Sequence, residues 1–271
     1  MPCGVVLGPA RSAEREATFC YGRAIPPSLP VPLVAARRGL FAVLVSAVLG
    51  LLVAVNVLDA FGPSALSLVL GPPVAVALIV LGRRSGLTWG DLGLARHTWR
   101  PGALVAAGSV AAVAAVFAVA AVLPATRSAF QDVRYQLPVG RAVFTALVVI
   151  PLGTVLVEEI AFRGVLMGLI TRRGGALRGM ITSSALFGLW HILPSRNLGR
   201  ANAAVGGLAG SGIAARVGIV LGAVAFTAVA GLLLGELRRR SGSLLASAGL
   251  HWSVNGVGVL FSALLFSVRA G

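Results

Sequence analysis

The stretch AVFTALVVIPLGTVLVEEIAFRGVLMGLI, Ala142–Ile170, decides how this chain is read. Ala142–Val157 carries no charge; Glu158, Glu159 and Arg163 then interrupt a run that is otherwise apolar to Ile170. A helix needs about 20 mainly apolar residues to cross about 30 Å of hydrocarbon, and this segment has that length. An ionisable side chain at membrane depth costs at least about 2.5–3.5 kcal/mol on insertion scales, so each of the three demands a reason.

Outward from that stretch the same pattern repeats. Gly39–Leu58, Ala60–Gly82 and Pro101–Thr126 precede it, and Gly179–Ser195, Val217–Gly235 and Ser241–Val268 follow, all free of Asp, Glu, Lys and Arg. The expectation is an all-α, polytopic transmembrane helical bundle of about seven spans, with its site between helices of the C-terminal half. Composition agrees, at 57% hydrophobic and only 11% charged, where soluble domains carry about 25% charged residues. A water-soluble globule is excluded on that ground, and disorder by the high hydrophobicity. Residues 1–36 read as a disordered cytoplasmic tail and 37–271 as the transmembrane domain. Cys3 and Cys20 in the tail have neither metal-ligand spacing nor a disulfide framework.

The formal charge is +15, and all 23 cations are arginine. Such a basic chain would suggest nucleic acid if it were soluble. Here the arginines cluster between apolar runs, as the positive-inside rule describes, so membrane lipid and not nucleic acid is the expected partner. An N-terminus inside puts 15 arginines on the cytoplasmic side and 7 outside. The outer seven are Arg127, Arg134, Arg141, Arg196, Arg200, Arg216 and Arg269; Arg163, inside a span, is not counted. The implied location is a bacterial cell membrane, with the C-terminus outside. Leu87–Arg100, with Trp89, Leu92, Leu94 and Trp99, suits a segment lying in the interface. Arg196–Ala215, rich in Gly and Ala, reads as a mobile connection.

Few polar residues remain at membrane depth. Glu14, Glu16, Asp59, Asp91, Asp132 and Glu236 fall in tails or connections, and His97 in the interfacial segment. Glu158, Glu159, Arg163, His191, His251 and Asn255 are left. Glu158 and Glu159 lie about 100° apart on a helix. Glu159 and Arg163 form an i,i+4 ion pair in the favourable orientation, which leaves Glu158 free to face something else. Phe187 and His191, and likewise His251 and Asn255, share a helix face at i,i+4. A Glu and a His can together hold and deprotonate a water, and a second His with an Asn can donate to the oxyanion of a tetrahedral intermediate. Trp190 and Trp252, each beside a histidine, read as packing or pocket walls.

Glu158-Glu159-x-x-x-Arg163, Phe187-x-x-x-His191 and His251-x-x-x-Asn255 resemble the three ordered motifs of the CPBP family of intramembrane proteases. That family includes type II CaaX prenyl endopeptidases and bacteriocin-immunity (Abi) proteins. The resemblance spans about 142–268, with a weaker echo in Leu87–Leu94. It implies that Glu158 acts with His191 to activate water and that His251 and Asn255 stabilise the oxyanion. Glu159, Arg163 and Phe187 would support the site. The substrate it implies is a membrane-anchored or CaaX-type prenylated peptide or another hydrophobic segment. The family has been called metalloprotease, and Glu158, His191 and His251 could ligate Zn²⁺; a metal-free glutamate base, requiring no cofactor, is the preferred reading. Two other functions fit parts of the pattern: a transporter using buried Glu and His as a proton relay, and a non-catalytic immunity or scaffold protein.

Overall fold

The computed structural model describes residues 31–63, 66–209 and 212–270. Within them the chain is helical, with one isolated bridge between Asp132 and Asn202. The long helices are α1 (Val31–Phe61), α2 (Leu66–Arg84), α3 (Trp99–Val122), α4 (139–174), α5 (Ala176–Trp190), α6 (Ile213–Ser241) and α7 (244–268). Of the expected tail, residues 1–30 lie outside the described part, and α1 begins at Val31.

Six helical stretches are long and apolar enough to cross a membrane. The difference from seven lies in Val139–Trp190, one apolar stretch of 52 residues that turns back at Gly175. Gly175 has φ +82°, a conformation glycine adopts without steric cost. Arg172 and Arg173 close the last turn of α4 just before it, where cations suit the carbonyl end of a helix. The second arm, α5, has 15 residues and rises only about 22 Å, short of the hydrocarbon thickness.

The core gathers around α4. Ile160, Ala161, Phe162, Val165 and Leu166 are buried against Leu52 and Val55 of α1, Leu78 of α2, Phe187 of α5 and Leu234 of α6. Val53, Val76, Leu104, Leu221 and Phe226 are exposed on outer helix faces, as lipid-facing positions are. The approach of α5 to α6 is close at Gly188, where a Cβ would sit 2.7 Å from the Val224 carbonyl oxygen. That contact fixes Phe187 and His191 against α6.

The two connections singled out in the sequence differ from expectation. Leu87 and Leu92 are 0% and 1% exposed and belong to the core. Arg238 of α6 draws the segment inward by donating to the carbonyls of Gly90 and Asp91 at 2.9 and 3.0 Å. Trp89 and Trp99 remain exposed. Within Arg196–Ala215, the described residues form short helices at Leu198–Ala201 and Ala203–Ala209. Asn202 pins them, donating to Ala129 O at 2.8 Å and accepting from Ala204 N–H at 3.1 Å as a helix N-cap does.

Asp91 gives the Leu87–Arg100 connection a pH signature. Burial pushes its carboxyl up, but hydrogen bonds from the Thr88 hydroxyl and amide and the Arg172 guanidinium at 2.7 Å outweigh that, so it titrates below the usual carboxylate range. A carboxyl depressed by folding adds stability fully present above its unfolded value, about 3.9, and lost as pH falls through the folded value. Asp91→Asn should therefore lower the melting temperature at neutral pH. The loss should be modest, since exposed pairs contribute about 0.2–1 kcal/mol. The difference from wild type should shrink below about pH 4. Thermal melts across that range check this, and a pH-independent difference contradicts it.

Candidate active site

Glu158 and Glu159 stand midway along α4, where the helix changes its winding. Wide π turns occupy 145–155 and 159–166, with a short α segment carrying Glu158 between them; another π turn, Ser253–Val257, carries Asn255. Wide turns of this kind concentrate at functional sites.

The ion pair anticipated from i,i+4 spacing is present. Arg163 Nη1 lies 3.1 Å from Glu159 Oε1, with the side chains 2% and 1% exposed. The guanidinium also stacks on the Phe187 ring at 3.8 Å. Phe187 meets Phe162, His191 and His251 edge to face, at 5.2, 4.6 and 5.7 Å between ring centroids. Phe187 is thus the hub joining α4, α5 and α7.

Glu159 does more than neutralise Arg163. His251 Nδ1 is 2.9 Å from Glu159 Oε1, and an ionised carboxylate only accepts, so Nδ1 carries the hydrogen. The ring then turns Nε2 towards Glu158 Oε2, 3.6 Å away. That is beyond a direct hydrogen bond, and close enough for one small group to touch both atoms. His191 is fixed in the same sense, because its Nδ1 donates to the Phe187 carbonyl at 2.7 Å and leaves Nε2 as the lone-pair nitrogen.

Two contributors escaped the sequence reading. The Trp190 indole N–H donates to Glu158 Oε1 at 2.9 Å, so this residue orients the carboxylate and is more than a wall. The Trp190 carbonyl accepts in turn from Asn56 Nδ2 at 2.7 Å, which brings α1 into the support of the site. An uncharged amide does not show in a search for ionisable residues. Trp252 instead donates to Ala146 O at 2.8 Å, tying α7 to α4.

The structure thus joins Glu158, Glu159, Arg163, Phe187 and His251 in one contact network. No direct hydrogen bond links His191 to Glu158 among the described residues. His191, His251, Asn255 and Phe187 line a common cavity of about 360 Å³. The Asn255 carboxamide has no protein partner among the described residues. A second cavity of about 590 Å³ shares His191, Phe226 and Thr227 and extends along α6 past Gly222 and Ile219 to Arg134. Catalytic zinc sites use three protein ligands. Among the described residues no group of three His, Cys, Asp or Glu side chains is gathered closely enough to hold a metal ion.

Fold and site together define an integral membrane protein whose apolar helices enclose a buried carboxylate–imidazole cluster. Residues 140–257 match the family model of the Rce1-like type II CAAX prenyl endopeptidases. The matched segment holds every motif residue from Glu158 to Asn255. No curated protein and no solved structure matches the chain.

Proposed function

We propose that the protein hydrolyses a peptide bond of a membrane-anchored or CaaX-type prenylated substrate, using a water deprotonated by Glu158 without a metal. The observation that carries this reading is the line Glu159–His251–Glu158, at 2.9 and 3.6 Å. It sets a base and a hydrogen-bond donor side by side, as addition of water to a carbonyl requires. Glu158 Oε2 takes one proton of the water, His191 Nε2 helps hold it, and the hydroxide oxygen bonds to the carbonyl carbon. With Glu159 behind Nδ1, the His251 ring can carry a second hydrogen on Nε2. It then donates, with the Asn255 amide, to the oxyanion. Collapse of the intermediate breaks the C–N bond, and the proton held by Glu158 passes to the departing amine.

The test is cleavage of a peptide carrying a thioether-linked isoprenoid by purified protein in detergent, with products identified by mass spectrometry. Cleavage that survives dialysis against a chelator supports the metal-free form. Loss of activity restored by Zn²⁺ overturns it.

The cavity along α6 offers a way to separate binding from chemistry. A Cβ at Gly222 would meet nothing within 4 Å, so Gly222→Leu fills the cavity without disturbing the fold. It should cost the apolar chain about two methylenes of burial, at about 0.8 kcal/mol each. The expected result is KM for a prenylated peptide raised about tenfold at little change in kcat. Steady-state kinetics on prenylated and unmodified peptides reads this, and an equal effect on both removes the cavity from substrate binding.

A further inference from the structure

Topology accounts for arginines on the cytoplasmic side and leaves the minority cluster without a reason. Three of that minority, Arg196, Arg200 and Arg216, line one cavity of about 220 Å³ together with Gly199, Gly206 and Gly212. No carboxylate pairs with any of the three among the described residues. Arg196 is held in place: its Nη2 donates to the Ala60 carbonyl and its guanidinium lies over the Phe61 ring at 4.4 Å. Its Nη1 is buried and has no hydrogen-bond partner among the described residues. Arg216 stands in the first turn of α6, a helix of 29 residues whose N-terminus at Gly212 has no side-chain cap. Unmade backbone N–H groups and the positive end of the helix dipole therefore add to three guanidinium groups at the same place.

We propose that this cavity binds the phosphate of an anionic membrane lipid. Forked guanidinium donors and helix N-terminal amides match the several oxygens of a phosphate, whereas a single carboxylate would satisfy only one of the three arginines. The lipid assignment comes from what adjoins the site. Ile219 is shared with the larger cavity, whose walls include Leu198, Val205 and Phe226. Beside it on α6, Ile213, Val217 and Leu221 are exposed on the face turned to lipid. A headgroup phosphate at the arginines thus leaves its acyl chain an apolar channel that leads to His191. None of the phosphate-binding residues belongs to the carboxylate–imidazole cluster, and the acyl chain shares the cavity assigned above to the substrate's apolar chain.

The experiment titrates the detergent-solubilised full chain with phosphatidylglycerol and with phosphatidylcholine and counts retained lipid by native mass spectrometry. Wild type should retain one phosphatidylglycerol in strong preference to phosphatidylcholine. Arg200 and Arg216 are both exposed, so Arg200→Gln/Arg216→Gln should fold normally, checked by an unchanged melting temperature in phosphatidylcholine. It should weaken phosphatidylglycerol binding about thirtyfold, the effect of two cations acting near a lipid surface. Arg84→Gln/Arg178→Gln removes the same charge elsewhere and should leave the preference intact. Equal losses in the two double variants, or no preference in wild type, overturn the site. Displacement of the lipid by 10 mM inorganic phosphate, a concentration on the order of ordinary phosphate buffers, overturns the lipid assignment, because it makes the headgroup alone sufficient.

Discussion

Glu158→Gln should leave a folded protein whose turnover of a prenylated peptide falls about 100- to 10,000-fold, the range for removing a positioned general base. The substitution keeps the shape of the side chain. Its amide oxygen can still accept from the Trp190 indole, which now meets Oε1 at 2.9 Å. The position of Oε2 becomes an NH₂ group beside His251 Nε2, where it can donate a hydrogen bond but cannot take a proton from water. Among the described residues Glu158 Oε2 has no hydrogen-bond partner, so the fold gives up no hydrogen bond there. The stability of the variant should therefore match wild type while kcat collapses. Initial rates in detergent, with a melt of the same sample, provide both readings. Activity within a few-fold of wild type removes Glu158 as the base. A large loss of stability instead makes the residue structural.

Much of this architecture was legible because membrane depth makes polarity conspicuous. Glu159 and Arg163 could be paired from spacing alone, since an α-helical i,i+4 contact depends on no other element. The convergence of Glu158 with His251 across 93 residues had no such local signature. The resemblance of the ordered motifs pairs Glu158 with His191 instead and gives His251 to the oxyanion. Two features stayed hidden for definable reasons. Trp190 counts as apolar in any hydropathy sum, yet its one N–H orients the base. Asn56 is uncharged and lies in the first span, far in sequence from the motifs it supports. The burial of Leu87 and Leu92 likewise depends on Arg238 capping carbonyls 147 and 148 residues away.

Arg163→Ala is expected to fail at the level of the fold before any question of catalysis arises. Removing one member of a buried ion pair leaves the other charge uncompensated, and such losses run to about 3–5 kcal/mol. Here Glu159 would keep the His251 contact at 2.9 Å but lose its guanidinium partner while remaining 1% exposed. The cation stacked on Phe187 at 3.8 Å would also go, loosening the ring that spaces His191 from His251. The expected outcome is a steep fall in folded yield and in resistance to heat in detergent. Replacing both partners, as in Glu159→Leu/Arg163→Met, should recover most of that stability, because a packed apolar pair avoids the desolvation that the ions suffer. It should not recover activity, since His251 Nδ1 would then have no carboxylate to fix its orientation. The double variant therefore separates two roles that spacing alone merges: Arg163 permits Glu159 to be buried, and Glu159 aims the imidazole. If the double variant regains wild-type turnover together with stability, Glu159 serves only to balance the charge of Arg163, and His251 is oriented by something else.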